Sequence, residues 1–105
     1  MRIIIETIPH DQHRYTTCGD YWEYDDGTKH IVVSDMGDDD LAFLVGIHEM
    51  AEQYLCKKRG IKEEDVSAFD IAFEEKIATA IERLMCAELG RSWKEYEQKV
   101  LSLFE

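Results

Sequence analysis

The feature that most constrains the fold is a change in the spacing of apolar residues, about a third of the way along the chain. Before it, segments such as "RIIIETI" (2–8) and "YWEYDDGTKHIVV" (21–33) are rich in β-branched and aromatic residues, which are typical of strands. After it, apolar residues follow a helical period that begins at Leu41, Leu44 and Val45. The sequence therefore predicts an α+β fold, in which a small sheet precedes a group of helices.

Turn signals divide the first part of the chain into a strand and a β-hairpin. Pro9 ends the strand at 2–8, because proline cannot donate a hydrogen bond to a strand ladder. The Asp-Gly pair at 26–27 is a strong signal for a two-residue turn, and it predicts strands at about 20–24 and 29–34. Together the N-terminal strand and the hairpin are expected to form a small antiparallel sheet.

Three helices are predicted after the hairpin, at about 39–59, 63–89 and 92–104. Gly60 is a favoured residue just past a helix end, and Ser92 with Glu95 forms a capping box at the start of the third helix. The second helix would be unusually long for a small domain, so a break near 73–75 is an alternative. Because no linker divides the chain, residues 1–105 are expected to form one domain.

Composition and charge restrict the classes of function. With 12 basic and 23 acidic residues, the formal net charge is −11, which disfavours direct binding of nucleic acid through a basic surface. No apolar segment is long enough to cross a bilayer, and the N-terminus does not resemble a signal peptide. A protein of the cytoplasm is therefore expected. The lack of CxxC spacing favours reduced thiols over disulfides or a zinc finger at all three cysteines, Cys18, Cys56 and Cys86.

The first predicted helix carries a histidine and a glutamate on its apolar side. In "GIHEMAEQYLC" (46–56), His48 lies seven residues after Leu41 and four before Glu52, so both polar side chains share one helix face. This is the spacing of the HExxH zinc helix, in which two ligands one turn apart hold the metal and the intervening glutamate activates water. Here the motif is HExxE, so Glu49 is the expected general base. A carboxylate ligand extends the choice of metal from zinc to manganese or iron.

A metal site needs a third ligand, and Asp70 in "SAFDIAFEE" is the expected one. Its position is on the predicted inward face of the second helix, together with Phe73, Ile77 and Leu84. Weaker candidates are Glu74, Glu75, Glu82 and His30, of which the glutamates fit equally well on a solvated face, whereas His10 and His13 are expected on the surface. The alternative for His48 and Glu52 is a polar pair satisfied in the core, and for Asp70 a hydrogen-bonded buried carboxylate.

These segments resemble a family of small uncharacterised phage and prophage proteins. The resemblance covers about 46–97 and rests on a "HE..E..LC...GI" helix, a "V..FD" step, an "ER" helix and a "W..Y" segment. It implies a bacterial host cell, and it groups His48, Glu49, Glu52 and Asp70 in one pattern. Longer members carry a histidine in the helix after the "FE" step that this chain lacks, so Glu75 would replace it if that histidine were a ligand. A broader similarity to zincin-type metallopeptidases rests on HExxE alone.

The leading expectation is a divalent-metal protein, with zinc as the first candidate. His48, Glu52 and Asp70 would be the ligands, and Glu49 would be the base in the hydrolysis of a peptide or amide. The alternative is a non-enzymatic acidic phage accessory protein that binds a basic host protein or mimics nucleic acid. A third class, an assembly subunit, would expose a large apolar patch on the 92–104 helix.

Overall fold

The computed structural model describes residues 1–61 and 68–105, except for the side chains of 68–75. Within these ranges the chain forms three strands, three α-helices and one short 3-10 helix at His10–Gln12. The strands are β1 (Ile3–Ile8), β2 (Gly19–Glu23) and β3 (Lys29–Ser34), and the helices are α1 (Asp39–Lys58), α2 (Ala68–Glu88) and α3 (Trp93–Ser102). The predicted α+β fold, with N-terminal strands followed by helices, is confirmed.

The sheet has the order β1-β3-β2 and is mixed. The predicted hairpin is confirmed, since β2 pairs with β3 antiparallel. β1 pairs with β3 in parallel, with Ile5 opposite Ile31, so the antiparallel prediction does not extend to the first strand. The reason lies in the strand order and in the connection. β3 carries the fully buried Ile31 and Val33 and takes the centre of the sheet. The segment between β1 and β2 reverses the chain, so β1 runs opposite to β2 and in the same direction as β3.

The core lies between one face of the sheet and α1. Ile31 and Val33 cluster there with Leu41, Leu44 and Val45 of α1, and all five are at most 5% exposed. Burial of each such aliphatic side chain contributes about 1.5–3 kcal/mol to folding. This packing decides which face of α1 points inward, and it thereby orients the side chains one and two turns further along the helix.

The predicted helix boundaries are confirmed where the structure describes them. Asp38 caps α1 by accepting hydrogen bonds from the backbone N–H groups of Asp40 and Leu41, and Gly60 follows its end with a φ of 71°, a conformation that glycine adopts without strain. α3 begins after Ser92, whose hydroxyl accepts a hydrogen bond from the backbone N–H of Glu95 at 3.2 Å.

The second helix differs from the prediction in two respects. α2 is one continuous helix from Ala68 to Glu88, so the alternative break near 73–75 is wrong, and the predicted start at 63 lies outside the described residues. Its inward face is also rotated from the predicted one, because Leu84 is 58% exposed whereas Ala78 and Cys86 are buried.

Several broader expectations can be compared with the described residues. No helix among them is long and apolar enough to cross a membrane. All three cysteines lie in the described part of the chain and are free thiols. Around α3, Leu101 and Phe104 are 61% and 45% exposed, whereas Trp93 and Val100 pack against the core. The role of an assembly subunit stays a prediction.

Candidate metal site

A cleft of about 570 Å³ opens beside α1 and is lined by side chains from β2, α2 and α3 as well. The lining residues that matter for chemistry are His48, Glu49, Glu52, Glu82, Tyr21 and Tyr96. Sequence reasoning predicted the first three together, since they share a short stretch of one helix. It predicted neither a cleft of this size nor the contribution of α3.

His48 and Glu52 form a close pair, one helical turn apart on α1. The Nε2 atom of His48 lies 3.3 Å from Oε2 of Glu52. This is the distance of a histidine–carboxylate ion pair, and it is also close to the roughly 3.4 Å that separates two ligands lying about 2.0–2.2 Å from one tetrahedral ion. The hydroxyl of Tyr21 lies 3.4 Å from the other oxygen of Glu52, to which it donates a long hydrogen bond.

Glu49 completes a group of three potential ligands. One ligand atom from each of His48, Glu49 and Glu52 can be chosen so that all lie within 4.8 Å of one another. The side chain of Glu49 packs against β2, where a Cβ atom on Gly19 would approach its Cγ to 2.9 Å. Glycine at this position thus permits the close contact that holds Glu49 beside the other two side chains.

The other ring nitrogen of His48, Nδ1, contacts Glu82, which the sequence indicated only as a weaker candidate for the site. Nδ1 of His48 lies 2.8 Å from Oε1 of Glu82 on α2, and Oε2 of Glu82 accepts a hydrogen bond from the hydroxyl of Tyr96 on α3. Glu82 is only 8% exposed, so of the two alternatives for this weaker candidate the solvated face is wrong. A usable signal was the spacing of Ala78, Glu82 and Cys86, which places the glutamate on one helical stripe with two small residues.

The charges of the site are strongly coupled. Burial alone would lower the pKa of His48, but hydrogen bonds to Glu52 and Glu82 and the nearby carboxylates outweigh it and raise the pKa to about 10. Burial and the charge of Glu52 raise the pKa of Glu49 to about 8. The raised pKa values mean that His48 and Glu49 both tend to keep their protons near neutral pH.

The structure leaves part of the predicted ligand set untested. Asp70 lies in α2, but its side chain is outside the described residues, as are those of Glu74 and Glu75. The prediction of a third ligand from this part of α2 therefore stays a prediction.

The three other histidines lie in different surroundings. His30 bonds Glu6 at 2.7 Å through Nε2 and Tyr24 at 3.0 Å through Nδ1, so it is engaged away from the cleft. His10 and His13 were expected on the surface, but both are partly buried and each has a ring nitrogen 2.8 Å from the hydroxyl of Ser34. The surface prediction was wrong because the segment after β1 folds back onto the sheet.

Comparison with protein-family models, curated proteins and solved structures found no match to this chain. The resemblance to phage and prophage proteins therefore stays a prediction. So does the alternative of a non-enzymatic acidic accessory protein.

Proposed function

We propose that the protein binds one divalent metal ion through Nε2 of His48 and a carboxylate oxygen of Glu52, and that it hydrolyses a peptide or amide bond. The observation that carries this proposal is the 3.3 Å spacing of those two atoms, with a ligand atom of Glu49 in the same group. In this proposal Asp70 supplies a further ligand, as the sequence pattern predicts, and zinc is the first candidate for the metal.

Glu49 is the proton acceptor in the proposed reaction. A bound divalent ion would polarise a carbonyl group and lower the pKa of water beside it. The same positive charge would lower the pKa of Glu49 from its raised value of about 8, and the carboxylate would then be ionised near neutral pH. Its place beside the ligands matches that of the central glutamate in the HExxH pattern.

The cleft supplies the space that such a reaction needs. Its volume of about 570 Å³ lies within the usual range of roughly 300–1,000 Å³ for sites that bind small molecules. Aromatic side chains of Tyr21, Trp93 and Tyr96 line it together with the carboxylates. This mixture of apolar walls and a few polar groups suits a short peptide or an amide better than an anionic substrate, which the carboxylates would repel.

Metal content tests the proposal. Tag-free protein analysed by elemental mass spectrometry is expected to carry close to one zinc, manganese or iron ion per chain. His48→Ala and Glu52→Gln are expected to abolish that content. Matched controls are His30→Ala and Glu6→Gln, which break a second His–Glu pair, with a 2.7 Å contact, away from the cleft, and should keep the metal. A metal-free wild type whose thermal stability is unmoved by added zinc, manganese and iron would refute the proposal.

The catalytic step is tested on metal-loaded protein with fluorogenic peptides and amides. Glu49→Gln is expected to retain the ion and to lose turnover by a factor of about 10²–10⁴, the usual contribution of a general base. Equal turnover in the wild type and in Glu49→Gln would remove the base role, and loss of the metal in this variant would show that Glu49 is a ligand instead.

A further inference from the structure

Glu82 connects the proposed ligand His48 to the C-terminal helix. One of its oxygens lies 2.8 Å from Nδ1 of His48, and the other accepts the hydrogen bond from Tyr96. Tyr96 is 4% exposed, and among the residues of α3, all of which are described, it alone is buried. The chain of contacts thus runs from α1 through α2 to α3 and ends at the side chain that anchors α3.

Glu82 itself is poorly placed to share an ion with Nε2 of His48. The two nitrogens of an imidazole ring point in diverging directions, and Glu82 lies on the Nδ1 side whereas Glu52 lies on the Nε2 side. The group of potential ligands within 4.8 Å, searched among the described residues, accordingly contains Glu49 and Glu52 without Glu82. Its contact with Nδ1 has a different consequence, because a carboxylate there accepts a hydrogen bond from Nδ1–H, which keeps the proton on Nδ1 and leaves Nε2 as the ligating nitrogen.

We infer that Glu82 and Tyr96 are positioning residues for the metal: Glu82 fixes the ring orientation and ligating nitrogen of His48, and Tyr96 fixes Glu82. The inference rests on the proposed function. Burial and the charge of Glu82 raise the pKa of Tyr96, so its hydroxyl stays protonated and donates to the carboxylate. Because Tyr96 also anchors α3, the C-terminal helix becomes part of the metal site although it contributes no ligand.

A purely structural network would have a different signature. Both a structural and a positioning role require that the buried carboxylate keep its partners, so both predict lower stability when a partner is removed. Only the positioning role predicts weaker metal binding in a variant that remains folded. The comparison therefore needs a control that loses a buried hydroxyl away from the cleft, and Ser34 provides one, since its hydroxyl bonds to His10 and His13.

Zinc affinity is measured on metal-free protein by competition with a chromophoric chelator, for the wild type and for Glu82→Gln, Tyr96→Phe and Ser34→Ala. Glu82→Gln is expected to weaken binding by about 10–100-fold, the usual effect of losing a partner of a metal-bound histidine. Tyr96→Phe is expected to weaken it by about tenfold, at the lower end of that range. Ser34→Ala should bind as tightly as the wild type. Equal affinity in all four folded proteins would overturn the inference.

A second measurement separates this inference from the proposed function. In metal-free wild type, the Nδ1 proton of His48 should give a slowly exchanging, strongly downfield NMR resonance. It should move upfield or disappear in Glu82→Gln and Tyr96→Phe, and should persist in Ser34→Ala. If the wild type binds no metal, the proposed function fails, and an Nδ1 resonance that is unchanged in both variants would then overturn the positioning role as well.

Discussion

Two histidine clusters on opposite faces of one small sheet differ in charge. On the α1 side, His48 contacts the carboxylates of Glu52 and Glu82. On the other side, His10 and His13 share the hydroxyl of Ser34, which alternates with the core residue Val33 along β3 and so faces away from α1. Both clusters are partly buried.

In each cluster, the groups that surround the histidine decide the direction in which its pKa shifts. Burial lowers the pKa of His13, the positive charge of His10 lowers it further, and Asp20 opposes both effects only in part. Burial also acts to lower the pKa of His48, but its carboxylate partners reverse the direction and raise it to about 10. The comparison teaches that a half-buried histidine becomes a cation or stays neutral according to its acceptors. Carboxylates beside His48 offer a metal the anionic ligands that a hydroxyl cannot.

The largest expected effect is the cost of removing the carboxylate between His48 and Tyr96. Glu82→Ala leaves Nδ1 of the half-buried, charged His48 and the hydroxyl of Tyr96 without the carboxylate that they share, and should lower the free energy of unfolding by about 3 kcal/mol. Ser34→Ala in the neutral cluster should lower it by only about 1 kcal/mol. Urea unfolding of both variants at pH 7 measures the difference, and equal losses would contradict the distinction between the two clusters.

The pH dependence of stability should have opposite signs in the two clusters. The raised pKa of His48 gives a contribution that is complete below about 6.5 and is lost as pH rises through about 10. The lowered pKa of His13 gives a contribution that is complete above about 6.5 and is lost as pH falls through the folded-state value.

Unfolding free energies measured from pH 4 to 10.5 on metal-free protein test this assignment. His48→Ala should flatten the alkaline part of the curve and His13→Ala the acidic part. A variant that flattens the opposite part would show that the assignment is wrong.

The smallest expected effect is a gain in stability at the proposed base. Since its pKa is raised to about 8, Glu49 costs increasing stability as pH rises from about 4.5 through 8. Glu49→Gln should therefore raise the free energy of unfolding at pH 8.5, relative to metal-free wild type, by at least about 1 kcal/mol, since residues of functional sites are often kept at a cost in stability. The two proteins should be equal near pH 4, where the wild-type side chain is already neutral. A loss of stability at pH 8.5 would contradict this account of Glu49.

Local sequence signals were enough to predict most elements of the fold. The turn at 26–27, the glycine at Gly60 and the cap at Ser92 act within a few residues, and the hairpin and helix ends follow from them. The parallel pairing of β1 could not be predicted in this way, because it depends on which strand takes the centre of the sheet. The prediction of the inward face of α2 was wrong for a related reason. The small residues Ala78 and Cys86 are buried, whereas the larger Leu84 is exposed.

The same distinction between local and long-range contacts applies to the candidate site. His48, Glu49 and Glu52 were predicted together because a helix brings residues four apart onto one face. Glu82 lies 34 residues from His48 along the chain, and Tyr96 lies 14 residues beyond Glu82. Their contacts arise only when three helices pack. The spacing of Ala78, Glu82 and Cys86 indicates the buried stripe of α2, but no local pattern indicates which residues Glu82 and Tyr96 contact.

The central claim is that the cluster around His48, and not the one around His13, binds a divalent ion. Calorimetric titration of zinc into metal-free protein at pH 7, in two buffers of different ionisation enthalpy, measures both binding and proton release. We expect one zinc ion to bind per chain with release of at least one proton. Zinc binding should be unchanged in His13→Ala and absent in His48→Ala. Zinc binding that survives in His48→Ala, or that disappears in His13→Ala, would contradict it.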